Sequence, residues 1–88
     1  MTAVERAREL GAEYGKAAAE AWLGDALGRA LIRQRGMGPE PDRGTLFNHH
    51  YAEFRQQFVD REPHEVVDAY SDAFRAARDE IIREAVQS

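Results

Sequence analysis

Residues 3–35 read AVERARELGAEYGKAAAEAWLGDALGRALIRQR, and this stretch decides the fold class. Small and apolar residues recur through it at Val4, Ala7, Leu10, Tyr14, Ala17, Ala18, Ala21, Leu27 and Leu31, which is the spacing of one helical face. Ahead of it stands a capping box: the Thr2 hydroxyl can accept from the Glu5 backbone N–H while the Glu5 side chain reaches back. Arg33 and Arg35 fall where the last turn would be and Gly36 just beyond it; positive charge and a trailing glycine both suit a helix C-terminus. The spacing predicts a single helix over residues 3–35, about 50 Å long at 1.5 Å per residue. Gly24 is the point at which it would divide into two.

Beyond the helix, residues 36–44 read GMGPEPDRG, with three glycines and two prolines among nine positions, a loop by composition. A second helix is predicted over about 46–60 with Thr45 as its N-cap. Phe47, Tyr51, Phe54 and Phe58 recur there at the four-three-four spacing of a packed helical seam. Asp60-Arg61-Glu62-Pro63 interrupts that seam, because proline suits a first helical turn and disfavours helix immediately before it. A third helix is predicted over about 63–87, facing inward with Val67, Tyr70, Phe74, Ala77 and Ile81 and widened by Ile82 and Val86. β-Branched residues are few and do not alternate with polar ones, so no strand is expected. The expected fold is all-α: a single three-helix domain spanning residues 1–88, its long N-terminal helix packed on an antiparallel helical hairpin.

Composition narrows the function classes. Cysteine is absent, which excludes disulfides and thiolate-held zinc as supplements to a small core. Acid outnumbers base by 16 to 12, and the excess lies in residues 45–88, since residues 1–44 hold seven of each. A general nucleic-acid binder presents a net basic face, and this chain does not. Eleven of the twelve bases are arginine, which suits bidentate ion pairs at protein interfaces. No run approaches the ~18 apolar residues of a membrane span. The N-terminal residues lack a basic start followed by an apolar stretch, so a cytoplasmic location is expected.

Within that frame a few residues stand out. Gly11 and Gly15 are four apart, as are Gly24 and Gly28. Each interior helical glycine costs about 1 kcal/mol relative to alanine, so the strip needs compensation by close backbone approach. That approach can come from another helix of the same chain, or from a second copy or foreign partner. Trp22, the only tryptophan, lies at the shoulder of the apolar stripe, as an interface anchor or a lid on the core. Glu5, Glu9 and Glu13 form one acidic row, and Glu65, Asp68 and Asp72 another; they read as solvated faces or as a surface for a basic partner. Arg29, Arg33, Arg35 and Arg43 are candidate phosphate contacts, although Asp25, Glu40 and Asp42 interrupt them.

Catalytic chemistry finds little support. Ser71 has no histidine at helical spacing, and Gly36-Met37-Gly38 runs into proline and acid rather than a phosphate-cradling helix start. His49 and His50 pair with Glu53, and His64 with Asp68, at three- or four-residue spacings. Two ligands per pair fall short of a metal's three or four. No enzymatic activity, metal or cofactor is expected. The function expected is a non-enzymatic protein–protein interaction module, a small self-associating regulator or inhibitor that covers a surface of a larger protein. Its partner would be another copy in a homodimer, or a basic or nucleic-acid-binding protein. Size and charge associate such a chain with accessory or phage-encoded proteins that block host or defence machinery, which is association rather than derivation. The alternative is a small dimeric DNA-associated regulator using the arginine-rich end of helix one.

Overall fold

A computed structural model describes residues 2–36, 38–46 and 63–87. Its helices are α1 (Ala3–Gly24), α2 (Ala26–Arg35) and α3 (Pro63–Gln87), with a further helical turn at residues 43–46 and no strand among the described residues. One half of the capping box is in place: the Glu5 N–H donates to the Thr2 hydroxyl at 3.1 Å.

The fold is built on two rows of residues spaced by four. On α1 the buried row is Ala3, Ala7, Gly11, Gly15 and Ala19, with Leu10 beside it. On α3 it is Val66, Tyr70, Phe74, the largely covered Arg78, and Ile82. Rows of this spacing are one of the two ridge directions a helix offers for packing. Here the α1 row is a smooth channel of small residues and the α3 row supplies the large side chains. Gly11 meets Tyr70, Ala73 and Phe74, Gly15 meets the Phe74 backbone, and Ala19 clusters with Ile82. Contacts therefore advance in the same direction on both helices, and the pair is parallel. Four residues turn a helix about 40° past one full turn, so the contact winds around α1. That is why the expected stripe is displaced: Val4, Tyr14 and Ala18 are only half-buried and Ala17 and Ala21 are exposed. On α3, likewise, Val67, Ala77 and Ile81 are half-buried and Val86 is exposed.

The single helix expected over residues 3–35 is two. Asp25 is extended (φ −102°, ψ 132°), and its carboxylate caps α2 by accepting from the Gly28 N–H at 3.3 Å. The break has a cause in register. Ala19 is level with Ile82, and α3 ends five residues beyond Ile82 just as α1 ends five beyond Ala19. A continuous helix would have carried its last 11 residues past the end of α3, about 16 Å into solvent. Turning at Asp25 instead brings Ile32 back into the cluster with Ala19 and Ile82.

The loop after α2 is a strap laid along α3. Gly36 ends α2 in the left-handed region (φ 66°, ψ 20°). Gly38 is buried against Ile82 and Arg78, the Pro39 carbonyl accepts from the Arg78 guanidinium at 2.8 Å, and Glu40 lies 3.6 Å from Arg75. Leu46 then joins the cluster of Ala3, Ala7, Leu10, Val66, Tyr70 and Phe74. The chain has thus returned to the start of α1 before residue 47. The strap makes this return, and the helical turn that follows it is capped by Asp42, which accepts from the Thr45 N–H at 2.9 Å, rather than by Thr45. Phe47, Tyr51, Phe54 and Phe58, and with them the predicted helical hairpin, lie outside the described residues.

Gly15→Ala separates intrinsic helix propensity from packing. Propensity alone favours alanine by about 1 kcal/mol, but a Cβ here would fall on the Phe74 carbonyl. We expect Gly15→Ala to destabilise by about 1–3 kcal/mol in denaturant titration. Gly24→Ala, with open space around it, should be neutral or slightly stabilising. Equal effects at the two positions would contradict the close parallel pair. Phe74→Ala should cost about 3–5 kcal/mol, and Asp25→Ala about 0.5–2 kcal/mol through loss of the α2 cap.

Candidate functional site

The core is unevenly divided along the molecule, and the division places the site. One cluster gathers Leu46, Val66, Tyr70 and Phe74 around the start of α1. The other, at the α2 end, has only Ala19, Ile32 and Ile82 buried among the described residues, with Trp22, Leu23 and Ile81 partly covering it. Among the described residues α2 is therefore held by few contacts: Ile32 inserts, Gly28 seats on the Trp22 carbonyl, and the Arg29 guanidinium donates to the Leu23 carbonyl at 2.8 Å. Apolar residues that the fold leaves uncovered collect here. Leu27 is 66% exposed and Val86 69%, the large apolar side chains most open to solvent among the described residues.

α2 stands as a ridge between two grooves. One, of about 270 Å³, is lined by Leu23, Ile32, Ala85 and Val86 with Arg29 and Arg33 at its rim. The other, of about 260 Å³, is lined by Trp22, Leu31, Arg35, Gly38, Pro39 and Glu40. α2 carries three arginines and no acid, whereas α3 carries six carboxylates and three arginines. The charge of these two helices is thus segregated, with a basic ridge beside an acidic rod.

Each residue singled out in the sequence has a definite place. Gly11 and Gly15 are buried under α3 of the same chain, so that part of the strip offers no surface to a second copy. Gly28 is covered by Trp22, and Gly24 alone of the four is open. The Trp22 ring helps to close the small cluster and walls the second groove. The two acidic rows do not meet. Glu5, Glu9 and Glu13 each stand two residues from members of the α1 contact row, as do Asp68 and Asp72 on α3, whereas Glu65 is next to Val66 and exposed beside the contact. Two residues is about half a turn, so the acids at that spacing look directly away from the partner helix. Of the arginines, Arg29 and Arg33 share one groove, Arg35 lines the other, and Arg43 is at the opposite end beside Leu46. The four do not make one phosphate-binding face.

Catalytic and metal candidates are not brought together among the described residues. Ser71 is buried, and its Oγ has no hydrogen-bond partner among the described residues. No three His, Cys, Asp or Glu side chains converge there, and His49, His50 and Glu53 lie outside them. No helix of the described residues is long and apolar enough to cross a membrane. No protein-family model matches the chain, and neither a curated protein nor a solved structure matches it significantly.

What the sequence reading missed was the strap and its coupling to the core. Tyr70 is fully buried between Tyr14 and Phe74, its ring centroid 6.4 Å and 6.0 Å from theirs. Burial, then the Asp42 charge, then Tyr14 push its hydroxyl up to about 12. The only available signal was that Asp42 precedes Thr45 by three residues, the spacing of a helix cap. The raised value gives a pH test. The folded state holds the Tyr70 proton more tightly than the unfolded chain, whose tyrosines titrate near 10. The associated stability is fully present below about pH 10 and is lost as pH rises towards 12. Thermal unfolding followed between pH 8 and 12 should show this decline, and Tyr70→Phe should flatten it. An unchanged slope in the variant would remove Tyr70 as its source.

Proposed function

We propose that this chain is a non-enzymatic protein-interaction module that acts as a small regulator or inhibitor by covering a surface of a larger protein, and that it docks through its α2 end. The observation that carries this is the placement of Leu27 and Val86. A small domain gains by covering large apolar side chains, and this one leaves two largely bare on a single end. Val86 walls the first groove and Leu27 stands one helical turn before Leu31 of the second, and apolar groups left bare at the edge of grooves suit an interaction surface. Arginine at the rim is the charged residue that interfaces favour, and both flanks of α2 carry it. The self-association expected of Gly11 and Gly15 is not part of this reading, because α3 already fills that channel.

DNA binding through the arginines is the weaker reading. Arg43 is remote from the other three, and Glu40 shares the second groove with Arg35.

The test uses a photoreactive benzoylphenylalanine in place of Leu27, irradiated in the producing cells. A discrete heavier adduct should form at position 27. It should be absent when the same group replaces exposed Ala17, and it should be abolished by adding Val86→Glu. All three substituted positions sit on the surface, and each change should alter stability by no more than about 0.5 kcal/mol. Equal labelling at positions 17 and 27 would contradict docking through the α2 end.

A further inference from the structure

The groove between α2 and the last turns of α3 has a chemistry that specifies its occupant. Its walls are apolar, from Leu23, Ile32, Ala85 and Val86, and the charge facing it comes from Arg29 and Arg33. Those arginines are four residues apart on α2, which puts their stems one turn and about 5–6 Å apart on one face. Like charges at this spacing oppose each other, and α2 supplies no carboxylate to relieve them. The one acid at its start, Asp25, is engaged in capping through Gly28. Arg29 is also held in place by its bond to the Leu23 carbonyl, so part of its side-chain ordering is already met before any ligand arrives.

We infer that this groove binds an acidic amphipathic helical segment of another protein. An apolar side chain of that segment enters between Ile32 and Val86, and two carboxylates one helical turn apart pair with Arg29 and Arg33. The inference rests on the docking role proposed above and names the class of partner. Guanidinium groups favour carboxylates through paired N–H donors of matching geometry, and an amphipathic helix presenting anchors at three- and four-residue spacing is a recurring occupant of apolar grooves. Phosphates of a nucleic acid match the arginines but not the apolar walls. A neutral apolar helix matches the walls but leaves the two cations unrelieved.

The experiment is a fluorescence-anisotropy titration of the full chain against three labelled probes. The first is a 16-residue amphipathic peptide of leucine and glutamate, with glutamates four apart flanking the leucine face. The second is the same peptide with glutamine for glutamate, and the third is a 16-base-pair DNA duplex. The glutamate peptide should bind in the micromolar range, at least tenfold tighter than the glutamine peptide. Arg29→Gln/Arg33→Gln should weaken it at least tenfold, Val86→Glu should abolish it, and Lys16→Gln, on exposed α1 surface, should leave it unchanged. Equal affinity for the two peptides overturns the inference, as does binding that ignores the Arg29 and Arg33 variants. A duplex bound more tightly than the glutamate peptide, with steep salt dependence, overturns it in favour of nucleic acid. A micromolar dimer in sedimentation that Val86→Glu dissociates overturns it in favour of a second copy. If the glutamate peptide fails to bind while the position-27 adduct forms, the class of partner is wrong and the docking end stands; if both fail, both readings fall.

Discussion

Everything in this small domain depends on how closely α3 approaches α1. The Tyr70 and Phe74 backbone lies against Gly11 and Gly15 at distances that leave no room for a Cβ. That contact lets Val66, Tyr70, Phe74 and Ile82 sink into a channel floored by Ala3, Ala7, Gly11, Gly15 and Ala19. The glycines weaken α1 as an isolated helix, by about 1 kcal/mol each, and strengthen the pair by admitting two of the largest fully buried side chains of the structure. With no cysteine and a short chain, tight helix packing is the main remaining source of stability. The parallel direction follows from the register, and the parallel direction in turn requires that the chain come back before α3 can begin.

That return explains the strap. A helix of about 12 residues could span the same distance, but residues 36–44 contain glycines and prolines that forbid it. An extended strand covers more length per residue than a helix, about 3.3 Å against 1.5 Å. The few residues from Gly38 to Asp42 therefore suffice. Arg78 makes the arrangement possible. It occupies the fourth place in the α3 row, where an apolar residue would have buried itself against α1, and sends its guanidinium to the Pro39 carbonyl instead. A guanidinium bond to a backbone carbonyl satisfies a group the strap would otherwise leave unpaired, while the arginine stem covers Gly38.

The helical character of this protein was legible because capping and periodicity are local. Thr2 caps α1 as its spacing implies, and proline at position 63 begins α3. The contact rows were less legible. Hydropathy gives glycine no weight, so Gly11 and Gly15 dropped out of the apolar pattern and the stripe was drawn through Val4, Ala17 and Ala21 instead. The glycine spacing was visible as an anomaly, but whether α3 or another molecule fills a smooth channel is a question of tertiary register, which no single helix encodes. The break at Asp25 was legible only as an alternative, a division at Gly24, for a related reason. Ala26 to Arg35 is as good a helix as what precedes it, and only the level at which α3 ends decides where the first helix must stop.

The same register gives the α2 end its character. Had α1 continued, Ile32 would have been exposed along with Leu27 and Leu31, and the cluster around Ala19 and Ile82 would have been open. Folding α2 back covers Ile32 and half-covers Leu31, yet ten residues with one buried large side chain are weakly anchored among the described residues. The turn also places Arg29 and Arg33 beside α3 rather than out in solvent, and brings Val86 into a wall instead of a frayed terminus. The basic ridge, the groove and the bare apolar groups thus share one origin in the mismatch between helix lengths. A surface produced in this way is not forced on the fold by its core. Leucine at 27 and valine at 86 are not required there for folding, since polar residues at these exposed sites would serve the helices equally well, and it is this dispensability that makes their apolar character informative about docking.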